Sequence, residues 1–223
     1  FEIMISEKLN KLQNDIPENV TLVAVSKTKP IEDLKDAFKA GQRVFGENKV
    51  QEMCAKWERL PKEIEWHFIG HLQRNKVKYL ASFVGLIHGV ESFRLLKEIN
   101  KQAKKNDRTI DVLLQFFIAN EEAKFGLSFE EAKTMLQSDE FKSLDNVCIR
   151  GVMGMATFTD EKEQIKREFS GLKKIHQELS IDFFNEQTNF DVISMGMSGD
   201  YKIAIEEGST MIRLGSSIFG KRD

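Results

Sequence analysis

The sequence predicts an α/β fold, a (β/α)8 TIM barrel with an additional N-terminal helix, and three observations predict it. Short apolar runs alternate with amphipathic segments eight times along the 223 residues. The runs lack a helical period and read as strands buried on both faces, as in a parallel sheet. The loop after the first run, Ser26-Lys27-Thr28-Lys29, holds no glycine and so no dinucleotide fingerprint, which argues against a doubly wound sheet. No Walker sequence occurs and no Pro/Gly-rich linker divides the chain, so residues 1–223 read as a single domain.

The extra helix spans residues 1–15, with Ile5, Leu9, Leu12 and Ile16 on one stripe, and should cover the bottom or side of the barrel. Thr21 to Ser26 is the first strand. Pro30 cannot sit in a strand ladder but suits a first helical turn. The helix after it is striped by Ile31, Leu34, Ala37 and Phe38, with Gly41 as its C′ residue. Arg43-Val44-Phe45 is the second strand, ending in Gly46-Glu47-Asn48. A helix through Val50, Met53, Cys54 and Trp57 follows and stops before Pro61. Ile64 to Ile69 is the third strand, Gln73 to Leu80 a short basic helix, and Phe83 to His88 the fourth strand.

Leu95, Leu96, Ile99 and Ala103 mark the next helix, whose lysine-rich face reads as solvated. Ile110 to Ile118 is the fifth strand, followed by a loop from Ala119 to Leu127. Ser128 and Glu131 form a capping box. Val147 to Met153 is the sixth strand. Asp160 with Glu163 opens a long helix striped by Ile165, Phe169, Leu172, His176 and Leu179. Phe190 to Ser194 is the seventh strand, and Gly196-Met197-Ser198-Gly199 leads into a short helix around Ile203. Met211 to Leu214 is the eighth, ending in Gly215-Ser216-Ser217.

Composition removes several functions. Hydrophobic residues make up 41% of the chain, and a net charge of −2 with a pI near 6.2 does not recommend nucleic acid or an anionic membrane as partner. No apolar stretch reaches transmembrane length, and no secretory signal is visible. Cys54 and Cys148 lack CxxC partners and read as free buried thiols, in keeping with a cytoplasmic protein. His67 and His71 have the spacing of a helical metal pair, but the residues between them read as strand then turn, so no metal site is expected.

The chemistry gathers at the strand ends. Lys27 follows the first strand, at the edge where parallel α/β folds bind ligands. Desolvation there would favour a neutral amine, nucleophilic toward an aldehyde; the alternative is a surface lysine beside a strand. Ser198 follows the seventh strand, and Gly215 and Ser216 the eighth, at the usual phosphate site of such barrels. A phosphate grip beside a lysine suits a phosphorylated aldehyde held as a Schiff base, of which pyridoxal phosphate (PLP) is one. Arg213, if it points inward, meets the pyridine nitrogen and disfavours its protonation; otherwise it forms a salt bridge inside the barrel. A phosphate-binding isomerase would want a strand-end glutamate, for which Glu47 is the nearest candidate.

The runs AVSKTKP (24–30), FGENKVQE (45–52), WHFIGHLQRNK (66–76), RGVMGM (150–155), SMGMSGD (194–200) and EEGSTMIRLGSSIFG (206–220) cover most of the chain in order. In these the sequence resembles the pyridoxal phosphate homeostasis protein family, also called the YggS/PROSC family. The resemblance implies the barrel domain of fold-type III enzymes such as alanine racemase, without their second, β-rich domain. It implies PLP bound through Lys27, a phosphate held by Ser198, Gly215 and Ser216, Arg213 near the pyridine nitrogen, and Asn48 and His67 on the cofactor face.

It further implies a regulatory, non-enzymatic role in vitamin B6 and amino-acid homeostasis. Separately from the resemblance, a monomer is expected, with PLP-dependent apo-enzymes as candidate recipients of the cofactor. A weak PLP-dependent amino-acid racemase is the alternative, and the racemases' opposing tyrosine has no counterpart domain here. Two departures stand out: Lys49 replaces an aromatic residue, and Gln115-Phe116-Phe117 replaces Gln-Val-Asn. Lys29 is the alternative amine.

Overall fold

The structure, a computed structural model, describes residues 4–120 and 125–220. Eight parallel strands close in sequence order: β1 (Thr21–Val25), β2 (Val44–Glu47), β3 (Glu65–Phe68), β4 (Leu86–Val90), β5 (Ile110–Gln115), β6 (Val147–Met153), β7 (Val192–Ser194) and β8 (Met211–Leu214). The closing pair is in register from Thr21↔Met211 to Ala24↔Leu214. Around the ring lie α1 (Ile5–Asp15), α2 (Ile31–Lys39), α3 (Val50–Arg59), α4 (Val77–Leu80), α5 (Phe93–Lys105), α6 (Phe129–Gln137), α7 (Asp139–Lys142), α8 (Lys162–Phe183), α9 (Tyr201–Glu206) and α10 (Ser216–Phe219). The chain is thus the (β/α)8 barrel with an extra leading helix. That helix, α1, lies on the side of the barrel against α2 and α10.

The helical stripes and the outward strand residues form one continuous apolar layer. Phe45, Trp66, Phe68, Leu96 and Phe169 are all at most 1% exposed within it. Inside the ring a smaller cluster of Val23, Leu86, Leu113, Met153 and Met211 fills part of the barrel. The period-two alternation of each strand divides the two layers.

Several expectations shift. The fifth strand ends at Gln115 rather than Ile118, because Leu127 returns to bond Gln115 O and Phe117 N. The fourth begins at Leu86, since Phe83 closes a turn on Leu80, and it runs on through Val90. The Asp160–Glu163 cap does not form: α8 starts after Glu161, which makes no side-chain cap. The Ser128–Glu131 capping box does, and Gly41 takes φ +99 after α2. The basic helix splits into a 3-10 turn (Arg74–Lys76) and α4. Part of the Ala119–Leu127 loop, residues 121–124, lies outside the described residues. Both cysteines are free but half-buried rather than buried, and burial raises both thiols above their ordinary value. Among the described residues no helix is long and apolar enough to cross a membrane, and no cluster of metal-ligating side chains occurs.

Candidate functional site

A cavity of about 710 Å³ opens at the C-terminal ends of the strands. Six residues singled out in the sequence line it: Lys27, Asn48, Ser198, Arg213, Gly215 and Ser216. Lys29 lines it as well. His67 does not; it is buried inside the ring below the mouth.

Lys27 sits on a tight turn, closed by Lys29 N donating to Ser26 O at 3.1 Å. Thr28 takes φ +67 there, a conformation that a β-branched residue adopts only under constraint. The constraint comes from behind the strand. Thr28 N donates to Glu52 Oε1 at 2.6 Å. Lys56, on α3, donates to Ser26 O at 2.7 Å, Glu47 Oε1 at 2.6 Å and Glu52 Oε1 at 2.8 Å. Ser26 Oγ also donates to Glu47 Oε1, at 2.7 Å. Glu47 therefore points outward, away from the mouth, and braces the turn instead of serving as a strand-end base. Burial pushes its carboxyl above the usual range against the opposing pull of Lys56, and its Oε2 has no hydrogen-bond partner among the described residues. Sequence alone offered only the Glu52–Lys56 i,i+4 spacing as a signal of this cluster.

Across the mouth, β7 and β8 end in small residues. Gly196 takes φ +104, and a Cβ there would meet Ala204 Cβ at 2.7 Å, so only glycine allows the chain to turn into α9. Asp200 Oδ1 accepts from Met197 N at 2.7 Å, and Ser217 N donates to Ser198 Oγ at 3.4 Å, which joins the two loops. At Gly215 a Cβ would lie 3.3 Å from Val25 O, so glycine keeps the closing strands close beneath Ser216. Ser198, Gly215 and Ser216 form a cradle of small residues with hydroxyls and amides, which fits a phosphate.

Arg213 is 3% exposed, and its guanidinium reaches the mouth from inside the ring. Burial lowers it to about 10, so it stays protonated at neutral pH. It donates to Ser194 Oγ at 2.5 Å and to Gly154 O at 3.4 Å. Ser194 in turn meets His88 Nδ1 at 2.9 Å, His88 Nε2 meets His67 Nδ1 at 2.9 Å, and His67 Nε2 meets Glu65 Oε1 at 2.9 Å. His67 is thus tied to Arg213 through two intermediaries.

The sequence reading missed two features of the rim. His71 Nδ1 pairs with Glu91 Oε1 at 2.7 Å. Phe125, Met155, Phe158 and Met197 are exposed apolar side chains around the opening. Both departures from the family pattern stand aside from the mouth. Lys49 is exposed and caps α3, and Phe117 lines a groove beside α8.

A parallel barrel with a lysine, a buried arginine and a small-residue cradle at its mouth defines a class, the racemase-type barrel. Residues 4–223 match the family "Alanine racemase, N-terminal domain". The chain is 38% identical over 212 residues to the pyridoxal phosphate homeostasis protein of Vibrio alginolyticus, covering 93% of this chain and 88% of that one. Among solved structures it is similar to PipY of Synechococcus elongatus PCC7942. The form without PLP has a TM-score of 0.91 at 33% identity, covering 97% of this chain and 100% of that one. The form with PLP bound has a TM-score of 0.87 at 32% identity, with the same coverage. The chain belongs to the pyridoxal phosphate homeostasis protein family.

Proposed function

We propose that the mouth binds PLP and that the protein acts as a carrier or buffer of this cofactor in vitamin B6 and amino-acid homeostasis, not as an enzyme. In this reading Lys27 holds the aldehyde as a Schiff base, and Ser198, Gly215 and Ser216 hold the phosphate. Arg213 faces the ring nitrogen, with Asn48 at the rim and His67 behind Arg213. The protein works as one domain, as a monomer and in the cytoplasm.

The observation that carries the reading is that Lys27, Arg213 and the Ser198–Gly215–Ser216 cradle line one cavity. The PLP-bound PipY structure and the family's name support the same ligand. When bound, PLP supplies an aldehyde that condenses reversibly with amines and a ring that withdraws electrons. This chain's residues temper that chemistry. The protonated Arg213 opposes a proton on the ring nitrogen, and the open mouth leaves the site wet. The exposed apolar rim is where a PLP-dependent apo-enzyme would seat to receive the cofactor.

A weak amino-acid racemase is the second reading. The His71–Glu91 pair favours it, since it puts an imidazole bonded to a carboxylate on the rim of the same cavity as Lys27.

Absorption spectra before and after borohydride reduction, followed by peptide mapping, test the first reading. A pyridoxyl group on Lys27, absent in Lys27→Ala with the fold retained, is the expected result. A map showing Lys29 alone sinks the linkage. Chiral analysis of alanine, serine and glutamate decides between the readings. Turnover near background is expected, and about one per second or faster, lost in Lys27→Ala, makes it an enzyme.

A further inference from the structure

The chain Arg213–Ser194–His88–His67–Glu65 crosses the inside of the barrel from mouth to base, with every link at 2.9 Å or less. Its ends have opposite chemistry. A guanidinium only donates and an ionised carboxylate only accepts. Glu65 must therefore receive the His67 Nε2 proton. With both rings neutral, His67 Nδ1 accepts from His88 Nε2–H, and His88 Nδ1 accepts the Ser194 hydroxyl proton. Ser194 Oγ is then left as the acceptor for Arg213. No other arrangement of neutral rings fills all four links.

The surroundings agree with this order. Ser194, His67 and His88 are at most 1% exposed, so the three middle members of the chain are shielded from bulk solvent. Burial holds His88 well below the ordinary histidine value, and the hydrogen bond from His67 holds Glu65 below the usual carboxylate range. The charges of Arg150 and Asp200 act on the two ends, Arg150 on Glu65 at the base and Asp200 on Arg213 at the mouth.

We propose that Glu65, on the face of the barrel opposite the mouth, is a positioning residue for Arg213. While both histidine rings are neutral, its acceptor-only carboxylate sets their tautomers, which turns the Ser194 hydroxyl proton to His88 and leaves the lone pairs of the oxygen to the guanidinium. A donor at position 65 reverses the chain. His67 Nε2 then accepts, His88 carries its proton on Nδ1, and that N–H takes one of the two lone pairs of Ser194 Oγ, so Arg213 shares the oxygen and the hydroxyl proton loses its acceptor on His88. The consequence for the ring nitrogen rests on the reading that Arg213 faces bound PLP; the tautomers do not.

The test uses the full-length 15N-labelled chain in two stages, with Glu65→Gln and Glu65→Lys beside wild type. Glu65 is exposed, so both variants should fold, and thermal melts check this. Long-range 1H–15N correlation spectra recorded before PLP is added should show His67 and His88 as Nε2–H tautomers in wild type. Glu65→Gln, which keeps an acceptor oxygen, should look the same, and Glu65→Lys should shift His88 to Nδ1–H. PLP titration should then show affinity kept in Glu65→Gln and about tenfold weaker in Glu65→Lys, with a shifted absorption band. An Nδ1–H His88 in wild type, a tautomer indifferent to Glu65→Lys, or equal PLP affinity and spectra after reversal would each overturn the proposal. Reversal of the tautomers in a protein that binds no PLP at all would support the chain and sink the proposed function instead.

Discussion

Between sheet and helices the barrel is packed with Phe45, Trp66, Phe68, Leu96 and Phe169, whereas inside the ring His67, His88, Ser194 and Arg213 pass beside a small plug of Val23, Leu113 and Met211. The outer layer gains from area alone, at about 1.5–3 kcal/mol for each large side chain removed from water. Any apolar residue of the right volume serves there. The inner layer gains little from its polar groups, because each hydrogen bond replaces one with water and only a complete set avoids a penalty. One layer holds the fold, and the other carries Arg213 to the mouth. The division blurs behind Lys27, where Glu47, Lys56 and Ser26 put a buried polar cluster in the outer layer.

Substitutions that separate the two layers sharpen this contrast. Phe169→Ala should cost about 4 kcal/mol in a urea melt, because it leaves a cavity in the outer layer. It should not change PLP affinity of the folded protein; a large affinity loss would mean that the layers are not separable. Lys56→Met should cost about 3 kcal/mol at neutral pH, since it strands Glu47 without a counter-charge. That loss has a definite pH dependence. Burial already raises the folded-state pKa of Glu47 above its ordinary value of 4.5, and removing Lys56 raises it further. The variant should therefore be nearest to wild type below pH 4.5 and lose stability as pH rises through the raised folded value. Urea melts from pH 4 to 8 check the sign, and a flat difference would exclude Glu47 as the cause. Lys56→Met should also loosen the Lys27 turn, read as slower reaction with PLP. The smallest effect is at Thr28. Thr28→Gly should stabilise by about 1 kcal/mol by relieving the positive φ. It should also widen the range of positions open to Lys27.

The outer layer was legible because its signal is local. Stripes such as Leu34–Ala37–Phe38 and Ile165–Phe169–Leu172 repeat within one helix and need no partner to be read. The mouth was legible for a related reason: strand ends of a barrel share one face, so Lys27, Ser198 and Gly215 converge once the strands are counted. The inner chain was not. His88 and Ser194 are 106 positions apart, and alternation says which face a residue takes but not which neighbour it meets. His67, which the family resemblance puts on the cofactor face, is joined to Arg213 only through His88 and Ser194, links that no sequence spacing marks. The Glu47–Lys56 brace escaped because a buried salt bridge leaves no periodic trace, and the His71–Glu91 pair joins two loops whose shape depends on the ring. Short α7 and α10 lack the length for a stripe.

The pairing of β1 with β8 has a consequence for how the molecule comes into being. Residues 21–24 find their partners only at 211–214, nearly the whole described chain later. Closing so long a loop carries an entropic cost that no nearby contact offsets, so these two strands should meet late on the folding pathway. Lys27 lies on one side of that seam and Gly215 and Ser216 on the other. On the ribosome, a partly made chain can hold Lys27 and the first several strands for seconds without possessing a binding site. With the proposed site at Lys27, Gly215 and Ser216, the seam would act as a completeness check, withholding capture of the cofactor until synthesis has passed the eighth strand.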